Sequence, residues 1–186
     1  MKTVTDNFLN NQELNFVKQA LLGHDMFWSY SDIKVSSKGE TDLRATQFYH
    51  VFVDTLRTSS LIGMIEPIID KLDAIAISRI KANLEPYKGE ERYYSNFHYD
   101  YMDAIGEPSK NIRTGIFYLN TNNGYTEFED GEIVKSVENR YVEFSGDTLH
   151  RGVSSTDVKK RIIINFNYFK KNVLEYGHKK IKERNG

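Results

Sequence analysis

Lys160-Arg161-Ile162-Ile163-Ile164-Asn165-Phe166-Asn167-Tyr168 alternates with a period of two. Side chains of an extended strand point in turn to opposite faces. Ile162, Ile164 and Phe166 therefore share one face, while Arg161, Ile163, Asn165 and Asn167 share the other. The first face suits a hydrophobic core. The second brings an arginine and two asparagines inside if the strand belongs to a barrel, and buried charge without a partner is costly, so such a strand needs a polar guest. The plainer alternative puts Arg161 at the exposed start of the strand, level with Lys159 and Lys160.

Working outward, the same period governs the chain from Ile75 onward. It predicts strands over Ile75 to Leu84, Phe97 to Tyr101, Arg113 to Leu119, Tyr125 to Phe128, Glu132 to Val137, Tyr141 to Phe144, Thr148 to Val153 and Arg161 to Tyr168. Asn122-Asn123-Gly124, Asp130-Gly131 and Ser145-Gly146-Asp147 supply tight turns between them. Eight short strands imply a closed or two-sheet β architecture. The first 74 residues read instead as helical around one strand, Gln47 to Asp54. Asn10 or Asn11 can cap a helix carrying Leu14, Val17 and Leu21 and ending at Gly23. Ser59 or Ser60 can cap a second with Leu61, Ile65, Ile68, Ile69 and Leu72, in which Pro67 predicts a kink or a late start.

Composition bounds the rest. The 186 residues suit one domain, with a helical part to about 74, a β core over 75–169 and a basic tail over 170–186, expected to be a solvated end. Apolar residues at 39% and charged residues at 27% are those of a soluble globular protein. A net charge of −1 leaves no clear nucleic-acid footprint. Without cysteine, disulfides, thiolate nucleophiles and cysteine metal sites are excluded, so a metal would be held by nitrogen and oxygen. With neither a signal-peptide core nor a membrane span, a cytoplasmic location is expected, the host cytoplasm if the chain is phage-encoded.

In Phe97-His98-Tyr99-Asp100-Tyr101 the alternation puts His98 and Asp100 on one face and Tyr99 on the other. An imidazole and a carboxylate side by side are two ligands for a divalent metal, and His150, after the turn at Ser145-Gly146-Asp147, is the natural third. A His-x-Asp triplet alone is weak evidence, since surface strands produce it often. Its company gives it weight: Arg161 follows His150 by eleven residues, and a guanidinium fork holds a carboxylate through two parallel hydrogen bonds. A metal triad opposite an inward arginine calls for a dicarboxylate such as 2-oxoglutarate.

His98-x-Asp100, then Gly115-Ile116-Phe117-Tyr118-Leu119-Asn120, a glycine turn, His150 and Arg161 together resemble the iron(II)/2-oxoglutarate dioxygenase superfamily, specifically its prolyl-4-hydroxylase-like branch. Asn120 to Tyr168 is similar to small phage-type members, and the resemblance covers about Ile75 to Tyr168. It implies a mainly β, double-stranded β-helix (a jelly-roll, cupin-like barrel) with the N-terminal helices packed on one sheet. It also implies Fe(II), 2-oxoglutarate and O2, metal ligands His98, Asp100 and His150, and release of succinate and CO2 on hydroxylation of a C–H bond. Tyr118 takes the place of the tyrosine that holds the far carboxylate together with Arg161, Asn165 that of a further contact, and Asn83, ahead of Tyr93 and Tyr94, that of a contact on the preceding strand. Asn83-Leu84-Glu85-Pro86 departs from the tyrosine–proline pair common there, and Lys160 is the alternative anchor.

Two readings of other classes compete: a cupin-like barrel binding metal without turnover, and a zinc or manganese hydrolase, which would have no use for the inward arginine. The remaining histidines, His24, His50 and His178, read as surface or packing residues, Trp28 as core or lid, and Arg151 as a salt-bridge partner pointing away from the metal. Asp130 and Asp147 fit turns, and Asp103 fits a loop or a substrate contact. The primary substrate stays open among peptide, amino acid, nucleobase and metabolite.

Overall fold

The computed structural model describes residues 1–32, 42–102 and 105–170; Asp103, His178 and the basic tail beyond Lys170 lie outside the described residues. Ten strands follow in chain order: β1 (Thr3–Thr5), β2 (Ser29–Ser31), β3 (Gln47–Val53), β4 (Ala74–Pro86), β5 (Arg113–Tyr118), β6 (Tyr125–Phe128), β7 (Ile133–Lys135), β8 (Arg140–Ser145), β9 (His150–Val153) and β10 (Lys160–Lys170). A seven-stranded antiparallel sheet has the order β1-β8-β5-β10-β4-β3-β2, and a three-stranded sheet has the order β7-β6-β9.

The faces of β10 divide as alternation predicts. Ile162, Ile164 and Phe166 pack with Ile80, Ala82 and Phe117 on the outer side of the large sheet, beneath the helical segments. Ile163 joins Ile116, Tyr118, Phe128, Val134 and Phe144 in a second cluster between the sheets. The helices thus cover one face of the large sheet and leave the other to the small sheet.

The first helix, α1 (Asn11–Leu22), is capped by Asn10, whose Oδ1 accepts from the Gln12 and Glu13 amides at 2.9 Å while Glu13 reaches back to the Asn10 amide at 2.9 Å. That reciprocal box selects Asn10 over Asn11 as the cap. Val17 and Leu21 are its buried residues. The second helix is shorter than its periodicity suggests: a 3-10 turn over Ile62–Ile65 leads into α2 (Glu66–Ile69), with Pro67 in the first turn. A proline there lacks an N–H that would have no helical partner anyway, so Pro67 marks a late start and not a kink. The N-terminal part also adds β1 and β2 at the two edges of the large sheet, where one strand (β3) was expected.

Tyr141 and Tyr168 are buried and joined through their hydroxyls at 3.1 Å, and Tyr168 donates onward to Glu143. A Cβ at Gly115 would fall 1.7 Å from the Tyr141 hydroxyl. Gly115→Ala is therefore expected to cost roughly 1–3 kcal/mol as the pair is pushed apart, lowering Tm by roughly 2–12 °C. An unchanged melting curve would show that Tyr141 swings aside freely.

Candidate active site

The small sheet has a ragged fourth member. Instead of a regular strand over Phe97 to Tyr101, single bridges join Tyr94 to Val153 and His98 to His150. At the second bridge the two histidines exchange backbone hydrogen bonds of 2.9 and 3.2 Å, which sets their rings side by side with centroids 4.8 Å apart. Two residues beyond His98, the Asp100 carboxylate lies between them: Oδ1 is 3.5 Å from His98 Nε2 and Oδ2 is 3.6 Å from His150 Nε2. One donor atom from each residue falls within 4.8 Å of the others.

The tautomers suit ligation. His98 Nδ1 lies 3.0 Å from the Asn96 carbonyl and His150 Nδ1 lies 3.0 Å from the Thr148 carbonyl. Each Nδ1 hydrogen is thereby taken by a carbonyl, which leaves Nε2 as the atom facing Asp100: protonated it donates to the carboxylate, and deprotonated it offers a lone pair to a metal. Burial would raise the Asp100 carboxyl, but hydrogen bonds and charge from His150 and His98 hold it well below the usual carboxylate range. Burial pulls His150 down, and Asp100 more than reverses this, leaving the imidazole raised. Two nitrogens and a carboxylate oxygen on the wall of a cavity are the donor set of a two-histidine, one-carboxylate metal site.

The cavity holds about 560 Å³. Beside the triad it is bordered by Arg161, Asn165 and Asn83, as the alternation of β10 and the resemblance predict. Arg161 is 1% exposed, donates through Nε to Ser136 Oγ at 3.0 Å, and has no hydrogen-bond acceptor at either Nη among the described residues. Lys160 is exposed, so Arg161 alone of the two faces the interior. Asn165 Nδ2 donates to Asp100 Oδ2 at 3.3 Å. Tyr118 sits on the same interior side, its ring 5.9 Å from the Arg161 guanidinium, but its hydroxyl donates to Thr126 Oγ1 at 2.7 Å, and it is Thr126 that borders the cavity. Tyr93 and Tyr94 do not border it, whereas Tyr99, expected on the opposite face, does.

No protein-family model matches the chain, and no curated protein matches it in sequence. Solved structures do match. A 2OG-Fe(II) oxygenase family oxidoreductase from Burkholderia pseudomallei superposes with a TM-score of 0.63 at 11% identity, over 90% of this chain and 84% of that one. A prolyl hydroxylase from Trichoplax adhaerens, solved with a hypoxia inducible factor peptide, gives 0.57 at 15% identity over 92% and 84%. The viral collagen prolyl hydroxylase of Paramecium Bursaria Chlorella virus-1, in its 2OG complex, gives 0.53 at 18% over 91% and 96%. The chain has the fold of the 2-oxoglutarate/iron(II) oxygenases.

Within that fold one wall was read from the sequence at Asn83 alone. Arg79, Lys81, Asn83 and Glu85 alternate along β4 and all border the cavity. Glu85, 2% exposed, stands across from Arg161 in the β4–β10 register, with its carboxylate 3.6 Å from Nη1. The period-two run of polar residues against Ile80, Ala82 and Leu84 was the available signal. The bland readings hold for other residues. Arg151 pairs with Glu127 at 2.8 Å and covers the rings of Phe97 and Tyr94, and His50 bonds Ser59 and the Phe27 carbonyl. Trp28 packs against the outer core, and no described helix is long and apolar enough to cross a membrane.

Proposed function

We propose that the protein is an Fe(II)- and 2-oxoglutarate-dependent oxygenase that hydroxylates a C–H bond of its substrate. One observation carries the reading: three ligand atoms gather on the wall of a cavity into which a buried arginine directs guanidinium nitrogens without hydrogen-bond acceptors. His98, Asp100 and His150 would hold iron(II). Bound there with 2-oxoglutarate and O2, the metal supplies oxidative decarboxylation to succinate and CO2 and the oxidising power that hydroxylates the substrate.

The chain's own part is positioning. Arg161 anchors the far carboxylate of the co-substrate through its fork. Tyr118 buttresses that guanidinium, and its hydroxyl reaches the co-substrate site through Thr126. Asn165 orients the Asp100 carboxylate, and Asn83, whose Oδ1 has no hydrogen-bond partner among the described residues, borders the same cavity. Anaerobic addition of iron(II) and 2-oxoglutarate should produce the weak visible charge-transfer band of their chelate. A barrel that binds metal without turnover, or a hydrolase, has no such chelate to show, and absence of the band would reject the oxygenase.

Gly124 offers a gentler probe of the anchor. A Cβ there would lie 2.9 Å from Arg161 Cδ and 3.0 Å from its Nε. Gly124→Ala should displace the guanidinium and weaken 2-oxoglutarate about tenfold, a loss of about 1.4 kcal/mol, with iron(II) affinity retained. Equal co-substrate affinity in the two proteins, read from titrations of the band, would show the anchor to be insensitive to that contact.

A further inference from the structure

The cationic half of the β4 wall has no role in the scheme above. Register with β10 gives it an address: Glu85 pairs with Arg161, Asn83 with Ile163, Lys81 with Asn165 and Arg79 with Asn167. Asn165 touches Asp100, so Lys81 stands level with the metal-binding carboxylate, and Arg79 lies one pleat farther from Arg161. Six residues of extended strand separate Arg79 from Glu85, roughly 20 Å. A co-substrate that runs from the metal to Arg161 does not reach Arg79.

No acid among the described residues bonds to that end. Among the described residues neither Arg79 nor Lys81 makes an ion pair or hydrogen bond with an acid; the Lys81 ammonium lies 4.8 Å over the Tyr49 ring and feels the charge of Asp100. Burial first, and the nearby Arg79 second, bring Lys81 down to about 8 despite Asp100. Among the described residues around the cavity stand three cations, Arg79, Lys81 and Arg161, against two carboxylates, Glu85 and Asp100. A divalent ion raises the excess to three positive charges, and a dicarboxylate removes two. One positive charge remains for a further anion, and it belongs to the Arg79–Lys81 end.

We propose that the primary substrate carries an anionic group, a carboxylate or a phosphate, bound by Arg79 and Lys81 on the side of the metal ligands away from Arg161. The assignment of that anion to the substrate rests on the oxygenase reading. Two cations spaced two residues apart on one strand face converge on a single oxyanion, and the fork of Arg79 adds geometric selectivity.

Calorimetric titration of the full chain, loaded with zinc(II) and saturating 2-oxoglutarate, tests this with three probes of matched body: benzoate, phenyl phosphate and neutral benzamide. At least one anion should bind where benzamide does not, and the anion that binds distinguishes carboxylate from phosphate. Arg79→Gln and Lys81→Gln should each weaken it roughly tenfold or more. Failure of both anions at millimolar concentration, equal binding of benzamide, or unchanged affinity in both variants would overturn the proposal. The iron(II) band separates the two ideas. Band without anion binding leaves the oxygenase and removes the anion site; anion binding without the band leaves the site in a protein that is no oxygenase.

Discussion

His150→Ala is expected to abolish the iron(II)–2-oxoglutarate band and to reduce iron affinity by more than about a hundredfold, beyond the tenfold to hundredfold typical of losing an outer-shell partner. The residue does three jobs. Its Nε2 is one of the two nitrogens facing Asp100, its backbone forms the bridge that fixes His98, and its ring packs against Phe144 with centroids 4.8 Å apart. Alanine keeps the bridge but removes the ligand and leaves a void beneath a ring only 3% exposed. His150→Gln fills more of that void and offers no imidazole, so it separates the two losses. Both variants should lose the band, and the glutamine should melt closer to the wild type. Retention of the band in either would mean that His98 and Asp100 hold the metal with some other group, and the assignment of His150 would fall.

How much of this was legible in the chain depends on the distance over which each feature is determined. The faces of β10 and the bounds of β6 come from local alternation, and both are found as predicted. His98 and Asp100 share a side as expected, although the segment bearing them is a single bridge and not a regular strand, and Tyr99 between them also borders the cavity. β1 and β2 were invisible for a physical reason: each has three residues, its side chains are exposed or nearly so, and it is held by backbone bonds to a partner already in the sheet. Such edge strands bury no face and leave no periodic mark. Glu85 is a different kind of miss. Its polar alternation with Asn83 and Lys81 was readable, but its position opposite Arg161 is a matter of register between residues distant in the chain, which local pattern does not contain. Tyr118 shows the limit of analogy, because resemblance places the residue, while the direction of its hydroxyl is decided by Thr126 on the other sheet.

That register makes Arg161→Ala the more informative of the two large losses. Glu85 and Arg161 are 2% and 1% exposed and form a buried ion pair, so removing the guanidinium takes an ion-pair partner from a buried carboxylate, at about 3–5 kcal/mol of stability. The same change removes the anchor for the far carboxylate of 2-oxoglutarate. Two charge-assisted hydrogen bonds at about 1.5 kcal/mol or more apiece correspond to a weakening beyond roughly a hundredfold. A single variant confounds these effects, and Glu85 separates them. The double variant Arg161→Ala with Glu85→Gln should regain much of the lost stability, since no charge is left buried, yet bind 2-oxoglutarate no better than Arg161→Ala. Glu85→Gln alone should act in the opposite sense, because it removes a carboxylate that competes for Nη1, and 2-oxoglutarate should then bind several-fold more tightly. Arg161→Lys keeps the charge without the fork and should fall between wild type and alanine in affinity. Recovery of 2-oxoglutarate binding in the double variant would show that the co-substrate never used the guanidinium, and that Arg161 serves only to neutralise Glu85.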